Sequence, residues 1–226
     1  MPWRQVCYVK RPLIEKLPRV FCNIIKMNDE LQRLRDGGEI ALAELFSQHR
    51  DRLVRLIDFR LDQRLQSRVD PDDVLQEAYI DIARRIKDYL ASPEVSFYVW
   101  ARQLTLQTLI DVQRRHFGQK RSPQRERALP YNPVDESQTS DSIVHVMSAQ
   151  LTSPSRALIR DEEIQQLHHV LSSMDEVDRE VLALRHFEHL GNAEVAQALG
   201  LSVTAASNRY VRAITRLGEI LQGLGR

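Results

Sequence analysis

Apolar residues recur three and four positions apart along almost the whole chain. No stretch shows the period-two alternation of a half-buried strand, so the pattern predicts an all-α protein. Gly37 and Gly38 separate a short helix over about 29–35 from a long one in which Ala43, Phe46, Leu53, Leu56 and Ile57 share a face. Asp70-Pro71-Asp72-Asp73 opens the next helix: Asp70 can cap it, Pro71 suits its first position, and the following carboxylates favour the positive end of its dipole. Val74, Ala78, Ile82 and Tyr89 make its buried stripe, and Arg84, Arg85 and Lys87 complement its other end. Ser92-Pro93 breaks the chain before a third long helix over about 96–116. Phe97, Trp100, Ala101 and Leu104 have core spacing there. Tyr98 and Arg102 lie on another face, with Thr105, Leu109 and Val112 at core-compatible spacing beyond them, and Tyr98 is the aromatic expected to be exposed.

Periodicity fades between Gly118 and Ser153, where RSPQRERALPYNPVDESQTSDS has the Pro, Ser and charge content of a linker. Helical pattern resumes after Pro154, with an amphipathic stretch over 158–171 and a helix over about 176–187 capped by Asp175. The sharpest pattern follows, LGNAEVAQALGLSVTAASNRYVRAITRL. Asn192 can cap a short helix whose Val195, Ala196 and Leu199 face inward, Gly200 supplies a left-handed turn, Leu201 fills that turn, and Ser202 can cap the next helix. This predicts a helix-turn-helix. The second helix of such a unit enters the major groove by its N-terminal end, which makes Thr204, Ala205, Ser207, Asn208 and Arg209 candidates for base edges. Arg212 and Arg216, further along, can reach phosphates. An ordinary helical hairpin with an exposed arginine face is the alternative reading. The expected architecture is two small helical domains joined by a flexible linker: an extension over 1–27, a first domain over 28–117, a linker over 118–153 and a helix-turn-helix domain over 154–226.

A net charge of +1 would argue against a nucleic-acid partner if charge were evenly spread, but the signs segregate. Asp70, Asp72, Asp73, Glu77, Asp81 and Asp88 make one stretch acidic, whereas Arg102, Arg114, Arg115, Lys120, Arg121, Arg125 and Arg127 make the next basic. Two kinds of partner are implied, one of them a polyanion. Asp111, four residues before Arg115, is placed to hold that side chain and leave Arg114 and His116 for phosphate. On the acidic helix Asp73, Leu75, Gln76, Glu77 and Tyr79 fall partly or wholly outside the buried stripe, a mixture that suits a basic protein partner.

The aspartates also invite an enzymatic reading, magnesium and diphosphate chemistry on a helical scaffold. That chemistry needs a second carboxylate set on a facing helix, and none has convincing spacing. Cys7 and Cys22 have no metal or redox spacing, and His168, His169, His186 and His189 have no acidic or Cys partner at ligand spacing, so no metal or cofactor is expected. No apolar run approaches the roughly 20 residues needed to span a bilayer, and the N-terminal stretch lacks a secretory h-region. A cytoplasmic protein is expected.

Three stretches, DPDDVLQEAYIDIARR, FYVWARQLTLQTLIDVQRRH and the helix-turn-helix preceded by LSSMDEVDREVLALRHFE, together resemble regions 2.2, 2.3 to 2.4 and 4 of bacterial sigma-70 family factors, most of all the extracytoplasmic-function (ECF) group. The resemblance covers about 29–221. It implies a sigma factor, a non-enzymatic subunit that binds core RNA polymerase and directs promoter recognition, DNA melting and transcription initiation. Asp73, Leu75, Gln76 and Glu77 would bind the clamp helices of the largest polymerase subunit. The turn over 92–96 and the helix carrying Tyr98, Arg102, Arg114, Arg115 and His116 would read the −10 element and receive a flipped base. The helix-turn-helix would read the −35 element, and an anti-sigma protein is an expected partner. The recognition segment TAASNRY is poor in long side chains, with Ser207 where a lysine is frequent, which implies thin base contact. A free-standing helix-turn-helix regulator is the alternative function. It would need neither the acidic face nor the basic aromatic helix.

Overall fold

The computed structural model describes residues 19–117, 136–150 and 157–224. The expected N-terminal extension up to residue 18, the linker positions 118–135 and 151–153, and positions 154–156 and 225–226 of the expected second domain lie outside the described residues. Among the described residues eight helices follow one another: α1 (Arg19–Arg60), α2 (Pro71–Ala91), α3 (Phe97–His116), α4 (Glu136–Gln150), α5 (Ala157–Ser173), α6 (Glu176–Leu182), α7 (Asn192–Leu199) and α8 (Val203–Leu224). No strand occurs among them, in keeping with the all-α expectation.

The glycine pair bends α1 where the sequence pattern broke. Gly38 adopts φ 55° and ψ −131°, a conformation that is costly for a residue with a side chain. A Cβ on Gly37 would lie 2.7 Å from the Ala41 Cβ. The bend lets Leu31 and Leu34 before it and Leu42 and Leu45 after it share one core with Ile82 and Tyr89 of α2 and Phe97, Ala101 and Leu104 of α3. Helix α2 starts as its sequence requires: the Asp70 side chain accepts a hydrogen bond from the Asp72 amide at 2.9 Å, with Pro71 in the first turn.

Helix α3 is buried on nearly every side, from Phe97 to Gln113, because neighbours cover it from both halves of the chain. Tyr98, Val99, Leu106, Leu109 and Val112 lie in the same apolar cluster as Leu53, Leu56 and Ile57 of α1 and as Val181, Leu184, Leu190, Val195 and Ala196 of the C-terminal half. The two halves that the sequence separates therefore share a core. A second departure is α4, a helix inside the expected linker. Its Ile143 and Val144 are buried with Phe59 of α1, Leu167 and Leu171 of α5, and Ala213 and Leu217 of α8. The apolar contacts over 143–147 are too brief to give a periodic signal, and tertiary burial rather than propensity holds this helix.

Helix α6 begins at the Asp175 cap, whose side chain accepts from the Val177 amide at 3.0 Å. It runs into a wider turn over Ala183–Phe187, closed by Glu188 N–H donating to the Ala183 carbonyl five residues back at 3.1 Å. Three of the features expected of the turn are present. Gly200 is left-handed (φ 64°), Ser202 Oγ accepts from the Ala205 amide at 3.1 Å, and Ala196 is buried where the helices approach. Asn192 is not the cap. It stands inside α7 and donates to the Val203 carbonyl at 2.9 Å across the turn, while the Glu194 carboxylate accepts from the Gly191 amide at 2.8 Å.

Gly38→Ala should lower stability by about 1–3 kcal/mol, the usual cost of a side chain in so sparsely populated a backbone region. Thermal unfolding followed by helical circular dichroism should show the midpoint falling by several degrees, although the new methyl meets nothing within 4 Å.

Candidate functional site

On α2, Asp73, Gln76 and Glu77 are exposed as expected, whereas Leu75 is buried (4% exposed) and Tyr79 is half-buried against Phe46, ring centroids 4.9 Å apart. The apolar residue that does face outward is Ile80, 49% exposed. Asp73, Gln76, Glu77 and Ile80 follow at helical spacing and make one acidic face with an apolar side chain in it. Asp72 beside it is held by Arg50 at 2.6 Å.

The basic end of α3 departs from expectation in its pairing. Arg115 donates to Glu77 at 2.6 Å, and Asp111 approaches Arg114 at 3.9 Å rather than holding Arg115. His116 is exposed, and Arg64 stacks over the neighbouring Phe117 ring at 4.4 Å. The acidic face and the basic end are thus joined by an ion pair between two candidate site residues.

Tyr98 and Arg102 overturn their expected exposure. Tyr98 is 2% exposed and Arg102 7%, whereas Trp100, expected in the core, is half-buried and stacked on Tyr89 at 4.4 Å. Both buried residues face the C-terminal half. The Arg52 guanidinium lies 3.6 Å from the Tyr98 ring centroid and donates two hydrogen bonds, at 2.9 and 2.8 Å, to the Glu194 carboxylate of α7. The Ser96 amide at the start of α3 donates to Gln197 Oε1 of α7 at 3.3 Å. Burial, then the nearby Glu188 carboxylate, push the Tyr98 phenol up to about 12.

Beneath Tyr98 lies a group of charges. Arg60, at the end of α1, donates to Glu180 Oε1 and Oε2 at 2.6 and 3.0 Å and to Glu188 Oε1 at 2.6 Å. Arg102 donates to both oxygens of Glu188, at 2.6 and 2.9 Å, and lies 3.6 Å from Glu180. Thr139 Oγ1 of α4 accepts from Arg60 at 2.9 Å and donates to Glu180 at 3.2 Å. All four charged side chains are buried. Burial works against each charge, but the Arg102 and then the Arg60 guanidinium hold the Glu188 carboxyl down to about 2. Glu180 and Glu188 in return raise Arg60 above the ordinary arginine range.

Sequence reasoning missed Arg60, Glu180, Glu188, Thr139, Arg52 and Glu194. For Arg60 a signal existed, since Leu53, Leu56, Ile57 and Arg60 fall at i, i+3, i+4 and i+7 and put a charge on an apolar stripe. Its carboxylate partners, about 120 residues away or more, had no local signature.

On α8, Thr204, Ser207 and Asn208 are exposed and Ala205 is half-buried. Arg209 does not point outward. It donates to Asp175 and Asp178 of α6 at 2.9 and 2.7 Å. Arg212 reaches Asp178 at 3.5 Å and Arg216 donates to the Ser173 carbonyl at 3.2 Å. The outward face instead adds Val203 and Val211, 43% and 57% exposed. Among the described residues no group of three or more His, Cys, Asp or Glu is placed to hold a metal, and no helix is long and apolar enough to cross a membrane.

The family model for ECF sigma factor matches residues 25–222. The chain is 25% identical over 198 residues to RNA polymerase sigma factor NccH of Alcaligenes xylosoxydans xylosoxydans, covering 84% of this chain and 92% of that one. It is 26% identical over 160 residues to RNA polymerase sigma-H factor of Pseudomonas aeruginosa, covering 69% and 75% respectively. A solved structure of CnrH in complex with the cytosolic domain of CnrY aligns with a TM-score of 0.48 at 20% identity, covering 87% of this chain and 97% of that one.

The sign of the Glu188 shift sets a pH dependence. A carboxyl held below its ordinary value of 4.5 contributes stability that is fully present above that value and is lost as pH falls toward about 2. Near-UV circular dichroism on acid titration should show tertiary structure weakening across this window. Glu188→Gln leaves both arginines short of a counter-charge and should cost about 3–5 kcal/mol in urea unfolding at pH 7, with a flatter acid profile.

Proposed function

The chain belongs to the ECF sigma factor family, and on that premise we propose how its residues divide the work of a sigma factor, which binds core RNA polymerase and directs promoter recognition, DNA melting and transcription initiation. The α2 face of Asp73, Gln76 and Glu77, extended by Ile80, docks on the clamp helices of the largest polymerase subunit. The observation that carries this assignment is the exposure of all four side chains on one helical face. Leu75 supports the face from below. Arg114, Arg115 and His116 take phosphates near the −10 element, and Tyr98 and Arg102 serve the melted strand once they are uncovered.

The −35 element falls to Thr204, Ala205, Ser207 and Asn208, with Val203 and Val211 placed for thymine methyls. Arg209 supports this face from its Asp175 and Asp178 partners, and Arg212 and Arg216 set register on phosphates. Residues 28–117 and 154–226 act as the two promoter-reading units. The protein works without a cofactor, in the cytoplasm, and does no chemistry of its own; an anti-sigma protein is its proposed regulator, on the strength of the family resemblance.

Fluorescence anisotropy with core polymerase and promoter DNA selected from a random pool tests this reading. Tight promoter binding should appear only with polymerase present, and Gln76→Ala should weaken polymerase binding about fivefold or more, a hot-spot cost of about 1 kcal/mol or above. Asn208→Ala should weaken binding to the selected −35 sequence by about 1–3 kcal/mol and relax its sequence preference. Tight duplex binding by the chain alone, indifferent to polymerase and to Gln76→Ala, would establish a free-standing regulator instead.

A further inference from the structure

Two kinds of tie hold α7 to α8. Around Gly200 the tie is backbone, with the Leu201 amide donating to the Ala196 carbonyl at 2.8 Å and the Gly200 amide to the Gln197 carbonyl at 3.4 Å. Ala196 and Ala206 are buried in one apolar cluster beside it. The other tie is a single side chain. Asn192, the first residue of α7, donates from Nδ2 to the carbonyl of Val203, the first residue of α8, at 2.9 Å. We propose that Asn192 is a positioning residue for −35 recognition, its amide fixing the pitch at which the first turns of α8 enter the major groove. The proposal rests on the assignment of the exposed side chains of those turns to base edges.

The bond is placed for direction rather than for strength. Asn192 is not consumed in capping, because Gly191 holds the cap position and the Glu194 carboxylate accepts from the Gly191 amide at 2.8 Å. Its side chain is left to cross the turn. The carbonyl it meets is equally telling. In a helix that oxygen accepts from the amide four residues on, here Ser207, and its second lone pair is open to another donor. The tie therefore acts on the turn that carries Thr204 and Ser207 without competing with the helix. Both of these side chains and Asn208 are exposed, and hydrogen bonds to base edges weaken steeply once donor and acceptor fall out of line. A small change of pitch costs base discrimination, whereas phosphate contacts carry no sequence information and are read alike on any promoter. As an exposed hydrogen bond, the tie contributes little net stability. Its loss should appear in selectivity.

Two substitutions in the full chain separate positioning from a merely structural role. Asn192→Ala removes the donor. Asn192→Asp keeps the size and suits a helix start better than asparagine, since a carboxylate favours the positive end of the dipole, but it cannot donate to Val203. Each variant is assayed by fluorescence anisotropy with core polymerase, on the selected promoter and on the same promoter with its −35 sequence scrambled. The ratio of the two affinities is the readout. Both variants should lower that ratio about fivefold or more, the lower end of what one lost base contact costs. The thermal midpoint of Asn192→Asp should be no lower than that of the wild type. The charge added by aspartate repels both promoters alike and cancels in the ratio. A wild-type ratio in either folded variant would overturn the proposal, as would a ratio that falls only together with the thermal midpoint, the mark of a residue that holds the fold. Should Asn192→Ala lose its helical signal, the aspartate variant decides alone. A wild type that binds the two promoters equally would instead sink the reading of α8 itself, a result seen before any variant is made.

Discussion

Two arginines and two glutamates withdrawn from water govern how this chain is arranged. A lone ion in such a place is prohibitively expensive, so each of Arg60, Arg102, Glu180 and Glu188 needs its partners to be buried at all. The requirement reaches outward through the backbone. Arg60 closes α1, Arg102 fixes which side of α3 meets the C-terminal half, and Glu180 and Glu188 sit before and after the wide turn over Ala183–Phe187. That turn inserts a residue's worth of rotation between the two glutamates, and both reach one nitrogen of Arg60 at 2.6 Å. Apolar clusters on either side, one holding Leu53 and Val181 and the other Phe59 and Leu182, supply much of the burial, but they would tolerate small slips that a network of charge-assisted hydrogen bonds does not.

The same constraint explains the character of α3. A helix whose apolar positions run around its whole circumference is a buried helix, and α3 acquires that burial only when both halves are present. Against α1 and α2 it shows Phe97, Ala101 and Leu104; against the C-terminal half it shows Tyr98 and Arg102. The former set matches the spacing that marks a core. Tyr98 and Arg102 have, in sequence, the character of a polar face for a ligand, and they serve as one inside the molecule, where the ligand is another part of the chain.

What could be read from the sequence divides along this line. Local chemistry was legible: the Asp70 and Asp175 caps, the bend at Gly37 and Gly38, the left-handed Gly200 and the Ser202 cap each depend on residues within a few positions of one another. The face of α2 was legible apart from Leu75 and Ile80, whose exchange of roles follows from where α1 and α3 pack. Arg209 was misread because Asp175 and Asp178, which hold it, lie more than 30 residues earlier on another helix. Helix α4 was missed because it is short of apolar residues and depends on Phe59 and Leu171 for its burial. The buried group of charges required pairing arginines with glutamates across more than 80 residues, and nothing in periodicity carries that information.

Contact between the two halves treats the candidate surfaces unequally, and the inequality has a direction. Helix α7 meets the start of α3 through Gln197, while Thr204, Ser207 and Asn208 of α8, which follows it across Gly200, are exposed. The face of α2 is likewise outside. The residues hidden are those assigned to unpaired bases, while those assigned to protein and to duplex stay open. Exposed aromatic and guanidinium groups would stack on any single strand, because every base offers a π-face. Here those groups face carboxylates of the same chain, Arg102 on Glu188 and Arg52, which lies over Tyr98, on Glu194. The charge pattern that first suggested a polyanion partner is thus satisfied in part within the molecule.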